Sequence, residues 1–147
     1  MDRTNTVEVP EGFERHYRRS GLTDPWEPLY SKRTDTAVII GLRAGEAHAN
    51  SRGFVHGGLI SALADNAMGL SCGTHLEGTG GLVTISLGVD FVGSAQIGQW
   101  LAFETRFVRA GRTICFAELF VTADGAVCAR ANATFRNLGA AGAAKVS

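Results

Sequence analysis

The chain has 147 residues, 45% of them hydrophobic and 19% charged, and its formal net charge at pH 7 is zero. A chain of this length is expected to form one domain with a sizeable core. The balanced charge gives no bulk attraction to nucleic acid or to an anionic membrane, and no apolar run is long enough to span a bilayer, so neither is an expected partner.

The cysteines and histidines predict a reduced protein without a metal. The three cysteines are odd in number and far apart in the sequence, which argues against a disulfide framework and fits a reducing compartment. The sequence begins without the apolar segment of an export signal, so we expect a cytoplasmic protein. The histidines and cysteines do not have the spacing of metal ligands, and no cofactor is expected.

The first 28 residues are expected to form an extension that precedes the main domain. The charged segment 11–20 is predicted to be helical, because Phe13 and Tyr17 are four residues apart. Trp26 lies in a predicted turn, where it either plugs the end of the core or lines a ligand pocket. Residues 29–138 are expected to form the main domain, and the Ala- and Gly-rich residues 139–147 a disordered tail.

The main domain has the pattern of an α+β fold. Strand signals at 29–42 are followed by a loop at 48–55, one long helix from 57 to about 73, and a glycine-rich loop at 77–81. Four strand-like runs follow at 82–92, 98–109, 112–122 and 126–136. Regular alternation in the first of these runs predicts that Thr84 and Asp90 share a face. Several runs are apolar on both faces and one helix covers only one face, so another subunit is expected to cover the rest.

The start of the long helix predicts a site for a negatively charged oxygen. Gly57 and Gly58 let a ligand approach the backbone closely, and the first amides of a helix have no partner within it. Asp65 is the only acidic residue between Glu46 and Glu77. A carboxylate in an apolar helix is costly unless it is paired or used, so Asp65 is a candidate for chemistry.

The spacing of Gly57 and Asp65 predicts that the site needs two chains. Asp65 lies eight residues after Gly57, which is roughly 12 Å along the axis of a helix. A carboxylate at that distance cannot act on an atom held by the Gly57 amide of its own chain. An antiparallel second copy of the helix brings Asp65 of one chain near Gly57 of the other, so we expect a two-fold dimer.

A longer motif surrounds this helix. It consists of Asn50, Gly53, the triplet His56-Gly57-Gly58 and the run Leu63-Ala64-Asp65-Asn66-Ala67-Met68-Gly69. Later segments add Val89-Asp90-Phe91, Val108-Arg109, Gly111-Arg112, Asp124-Gly125 and Ala133-Thr134-Phe135. Over residues 30–138 this pattern resembles hotdog-fold acyl-CoA thioesterases of the phenylacetate-pathway type, in which an antiparallel sheet wraps around one long central helix.

The resemblance implies catalytic roles for five residues. Asp65 is the general base for water or the nucleophile, and the backbone amide of Gly57 donates to the thioester oxygen. Asn50 orients the water or the thioester, and Thr84 lies across the site from Asp65. His56 is implied to hold the loop and the pantetheine end of the substrate in place.

The resemblance also implies contacts with acyl-CoA and an assembly. Arg109 and Arg112 flank a turn that binds the nucleotide phosphates in some members of the family. Further substrate contacts are expected from Gly58, Val83, Met68 and Phe91. A dimer of dimers is usual in the family, so a homotetramer is expected.

Two other functions are left open by the sequence. A non-catalytic acyl-CoA binding module does not need a carboxylate within the helix, so the presence of Asp65 argues against it. A hydratase or dehydratase acting on acyl thioesters usually carries a histidine–aspartate pair. Asp65 is too far along the helix to pair with His56 of the same chain.

Overall fold

In a computed structural model, which describes residues 8–78 and 80–139, one long helix lies in the hollow of a curled antiparallel sheet. The helix is α1 (Gly57–Thr74), and the strands are β1 (Glu14–Arg15), β2 (Tyr30–Arg33), β3 (Val38–Arg43), β4 (Leu82–Phe91), β5 (Trp100–Ala110), β6 (Ile114–Ala123) and β7 (Ala126–Asn137). Their order in the sheet is β1-β2-β3-β5-β6-β7-β4. The predicted α+β architecture, with the sheet wrapped around the helix, is therefore observed.

Helix α1 begins and ends within one residue of its predicted bounds. The side chain of His56 caps it, because its Nδ1 atom accepts a hydrogen bond of 2.8 Å from the N–H of Gly58. One face of the helix is buried against the sheet and carries Leu59, Ile60, Leu63, Ala64, Ala67, Met68, Ser71 and Cys72. This packing leaves Asp65 on a different face, at the side of the core.

The strands after the helix match the prediction, whereas the strand region before it divides in two. Strands β4 to β7 begin and end within two residues of the predicted runs. Residues 29–42, predicted as one strand region, form β2 and β3 with a turn between them. The turn forms because the hydroxyl of Thr34 accepts hydrogen bonds from the backbone N–H groups of Thr36 and Ala37.

The prediction of a helix at 11–20 is wrong. The chain is extended there and β1 adds a strand to the edge of β2, continued by a hydrogen bond of 2.9 Å from the N–H of His16 to the carbonyl of Leu29. The ring of Phe13 packs edge-on against Trp100, with centroids 5.2 Å apart. This contact and the strand pairing replace the contact between Phe13 and Tyr17 that a helix would have made.

The structure tests the expectation for Trp26 but covers little of the predicted C-terminal tail. Trp26 lies in a short 3₁₀ turn, Asp24–Trp26, and packs partly buried against the core, which is the plugging role. Of the predicted disordered tail, only Gly139 lies within the described residues.

A bulge in β4 overturns the predicted alternation. Thr84 pairs with Phe135 but Ser86 pairs with Thr134, so the register with β7 shifts by one residue between them. Thr84 therefore faces the helix, whereas Asp90 faces outward and forms an exposed ion pair of 3.0 Å with Arg130. The expectation that Thr84 and Asp90 share a face is wrong, because the extra residue reverses the pattern after it.

Two kinds of feature are absent from residues 8–78 and 80–139. No helix there is long and apolar enough to cross a membrane. No group of three or more histidine, cysteine or acidic side chains is arranged there to hold a metal ion.

Candidate active site

The curled sheet does not close around α1, and the gap between its two edges forms a cavity of about 570 Å³. We call this cavity the edge groove. Its floor is one face of the helix, one wall comes from the β4 edge, and the other wall comes from the β1–β2 edge. The residues lining it are Tyr17, Arg18, Arg33, Asp65, Asn66, Gly69, Leu70, Gly73, Thr74, Gly80, Gly81, Leu82, Thr84 and Phe135.

Asp65 and Thr84 meet in the edge groove. The hydroxyl of Thr84 donates a hydrogen bond of 2.7 Å to Oδ1 of Asp65. The geometry of this hydrogen bond depends on the bulge in β4, which turns Thr84 towards the helix. The other oxygen, Oδ2, has no hydrogen-bond partner within residues 8–78 and 80–139. The carboxylate is thus held at one oxygen and free at the other, as a proton acceptor or nucleophile requires.

The amide of Gly57 is a donor without a partner in the described part of the chain. It is the first residue of an 18-residue helix, where backbone N–H groups have no acceptor within the helix and the helix dipole favours negative charge. The next amide, that of Gly58, is already bonded to His56, so it is not free for a ligand. The ring of Phe91 lies beside Gly57: a Cβ atom at Gly57 would be 3.1 Å from its Cζ.

Asn50 belongs to the loop that leads into the helix. Its Oδ1 accepts hydrogen bonds of 2.9 Å from the N–H of Arg52 and 3.2 Å from the N–H of Phe54. This arrangement fixes the turn and leaves the side-chain NH₂ group of Asn50 without a partner among the described residues. The NH₂ group is therefore available to donate to a ligand oxygen.

Other residues expected at the site lie elsewhere in a single chain. Met68 is fully buried in the core, because it is on the helix face that meets the sheet. Val83 precedes Thr84 and pairs with Arg136, with its side chain on the outer face. Arg109, together with Phe107 and Phe116, lines a second cavity of about 390 Å³ on the outer face of the sheet, and Arg112 is exposed in the turn after β5.

The groove also contains residues that the sequence did not single out. Tyr17 and Arg18 follow β1, and Arg33 ends β2, so they form the wall opposite Thr84. Their presence depends on the extended conformation of residues around β1. The pattern of apolar and polar residues in the sequence does not predict this extended conformation.

The groove does not favour catalysis by a cysteine nucleophile or by a histidine–aspartate pair. Burial raises the pKa of the Cys72 thiol to about 12, so this cysteine is not an activated nucleophile. No histidine is among the residues that line the edge groove. His56 instead caps the helix, so the pair expected for a hydratase is not formed within the described chain.

Comparison with known proteins places this chain in a family. Residues 52–129 match the thioesterase superfamily. The "Putative esterase PA0474" of Pseudomonas aeruginosa is 34% identical over 130 residues, covering 88% of this chain and 97% of that relative. Acyl-coenzyme A thioesterase 13 of Mus musculus is 26% identical over 85 residues, covering 58% of this chain and 60% of that relative.

A solved structure supports the same placement. The "putative thioesterase, phenylacetic acid degradation-related protein" of Ralstonia eutropha superimposes with a TM-score of 0.66 at 28% identity, and the match covers 72% of this chain and 82% of that chain. The order of helix and strands, the match over 52–129 and the Pseudomonas relative agree with the motif around Asp65. The chain has the hotdog fold and belongs to the thioesterase superfamily.

Proposed function

We propose that the protein hydrolyses acyl-CoA thioesters at a site shared by two copies of the chain. The observation that carries the proposal is the Asp65 carboxylate, which Thr84 holds by one oxygen in an open groove. Family membership supports the bond that is cleaved. The name of the mouse relative, an acyl-coenzyme A thioesterase, supports the carrier.

The reaction needs a base and a stabilised oxyanion. Asp65 takes a proton from a water molecule, whose oxygen attacks the thioester carbon and forms a tetrahedral intermediate. The intermediate collapses with loss of the CoA thiolate, which takes up the proton, giving a free acid and CoA. In the alternative route the same carboxylate attacks the carbon directly and expels the CoA thiolate, which forms a mixed anhydride. Water then hydrolyses the anhydride, giving the free acid and the carboxylate again, and the thiolate takes up the released proton.

Donors for the oxyanion come from the second copy. The unpartnered N–H of its Gly57 and the NH₂ group of its Asn50 are suited to the developing negative charge, and the helix dipole adds to their effect. Gly57 and Asp65 are too far apart along α1 to serve one substrate in one chain. This distance is the reason for assigning the two halves of the site to different copies.

The exposed edge of β4 supports such a dimer. Among the strands that the structure describes, this ten-residue strand pairs with β7 alone. Val83 and Ile85 on it are 50% and 56% exposed. A long apolar edge is a liability unless another chain covers it, and pairing of two β4 strands would cover both. The tetramer, the cytoplasmic location and the phosphate contacts of Arg109 and Arg112 stay predictions.

The test is release of thiol from a panel of short, medium, long and aromatic acyl-CoAs. We expect hydrolysis by the wild type and a loss of about two to three orders of magnitude in kcat for Asp65→Asn, with substrate binding retained. Asp35→Asn is the matched control, because Asp35 is exposed in the turn between β2 and β3 and does not line the groove. Saturable binding without thiol release from any substrate would contradict the proposal and indicate a binding module.

A further inference from the structure

The wall of the edge groove opposite Thr84 is cationic. It carries Arg18 and Arg33 together with the phenol of Tyr17, whereas Asp65 is the only carboxylate among the described residues that line the groove. Neither guanidinium forms an ion pair or hydrogen bond with a described residue. The neighbours of Arg18 differ in this respect, because Arg15 contacts Glu27 and Arg19 contacts Asp24 at 3.2 Å.

The groove leads from Asp65 towards the C-terminal end of the helix. Its floor runs from Asp65 to Thr74, which is roughly 13 Å along the helix axis. Gly69 and Gly73 have no side chains to project from this face of the helix into the groove, and a Cβ atom at Gly73 would meet nothing within 4 Å. Within a single copy of the chain, a group attached to a carbonyl at Asp65 therefore has room to lie along the helix.

The position of Arg33 is set by hydrogen bonds. Arg33 pairs with Val38, whose N–H donates to Oγ of Ser71 at 3.1 Å. Ser71 lies six residues after Asp65, or about 9 Å further along the helix. The backbone of Arg33 thus lies beside the part of the helix beyond Asp65, and its side chain lines the groove there.

We propose that Arg18 and Arg33 bind a carboxylate at the far end of the acyl group, so that the substrates are CoA monothioesters of dicarboxylic acids. The inference rests on the proposed function, which places the thioester at Asp65. A guanidinium offers a planar pair of donors that matches a carboxylate, and Tyr17 can add a hydroxyl donor. An acyl chain ending in a methyl group would instead leave both cations without a partner as it displaced water from them.

The test compares two ligands of equal carbon number, adipoyl-CoA and hexanoyl-CoA, by calorimetry on the Asp65→Asn variant, whose slow remaining hydrolysis is followed by thiol release under the same conditions. We expect adipoyl-CoA to bind about ten-fold more tightly, and Arg18→Gln and Arg33→Gln each to reduce this preference about three-fold. The preference should shrink as salt is raised. Arg19→Gln and Lys32→Gln are the matched controls, because these neighbouring cations do not line the groove.

Two results would overturn the inference. Equal affinity for the two ligands would show that the groove does not select a terminal charge. Equal weakening of both ligands by the arginine variants would assign these residues to the phosphates of CoA, which both ligands share. Hydrolysis by the wild-type protein separates the two proposals: turnover of both substrates without preference refutes only this inference, and selective binding without turnover refutes only the proposed function.

Discussion

Gly57 offers a way to delete one backbone N–H group while the helix is kept. It is the first residue of α1, where proline is favoured because the amide makes no bond within the helix. His56 before it has φ −66° and ψ 133°, which is the conformation that a residue preceding proline prefers. Gly57→Pro should therefore fold and lack the proposed oxyanion donor.

The expected magnitude follows from the role of this donor. Loss of one oxyanion donor typically lowers kcat by about 10²–10³, or roughly 3–4 kcal/mol of transition-state stabilisation. Gly57→Pro also adds a Cβ atom, 3.1 Å from Cζ of Phe91. Gly57→Ala adds the same atom and keeps the N–H. Because the Phe91 side chain is half exposed and can shift, we expect this control to lose less than about five-fold in kcat.

The assay is steady-state thiol release for both variants, with circular dichroism and thermal melting to establish that each is folded. We expect a ratio of about 10² or more between the kcat values of Gly57→Ala and Gly57→Pro. Equal kcat values in two folded variants would refute the assignment of the Gly57 amide as the oxyanion donor.

Three further changes test the site and the fold. Thr84→Val removes the hydroxyl that holds Asp65, and we expect kcat to fall about ten-fold in the thiol-release assay. Burial lowers the pKa of His16 below its usual 6.5, so at acidic pH the unfolded chain binds a proton more readily than the folded chain. The free energy of unfolding should therefore fall as the pH drops below 6.5. Denaturant titrations of His16→Gln should show a smaller decrease over the same pH range. Gly41→Ala places a Cβ atom against the ring of Trp100, and thermal melting should show a loss of about 1–3 kcal/mol.

Each of these changes has a matched control. Thr84→Ser keeps the hydroxyl and should keep most of the activity; if it loses as much as the valine variant, the hydrogen bond is not the cause. His75→Gln, at an exposed position, is the control for replacing a histidine, and an equal effect of both histidine changes would contradict the role of His16. Gly21→Ala meets nothing within 4 Å, so its stability should match the wild type.

The sequence predicted the parts of the fold that follow from periodicity. Helix α1 and strands β4 to β7 have long, regular patterns of apolar residues, and their positions agree with the prediction within two residues. The segment around Phe13 has no such pattern. Its conformation is decided by pairing with β2 and by the contact with Trp100, which are distant in sequence.

The parts of the site that belong to a sequence motif were predictable, whereas the parts that depend on the register between paired strands were not. The motif around His56 and Asp65 pointed to the helix start and to the carboxylate. The bulge in β4 lies in a run that alternates without a visible break, so the opposite orientations of Thr84 and Asp90 could not be read from it. The cationic wall depends on the same kind of long-range pairing, because Arg18 reaches the groove only through the position of β1.

The most direct test of the account is complementation between two inactive chains. Asp65→Asn and Gly57→Pro are produced together with different affinity tags, and the mixed dimer is isolated on both tags. In a shared site, one of its two sites has intact Asp65 and Gly57, so the account predicts about half of the wild-type specific activity. A mixed dimer no more active than its two parents would contradict the claim that the site is built from two chains.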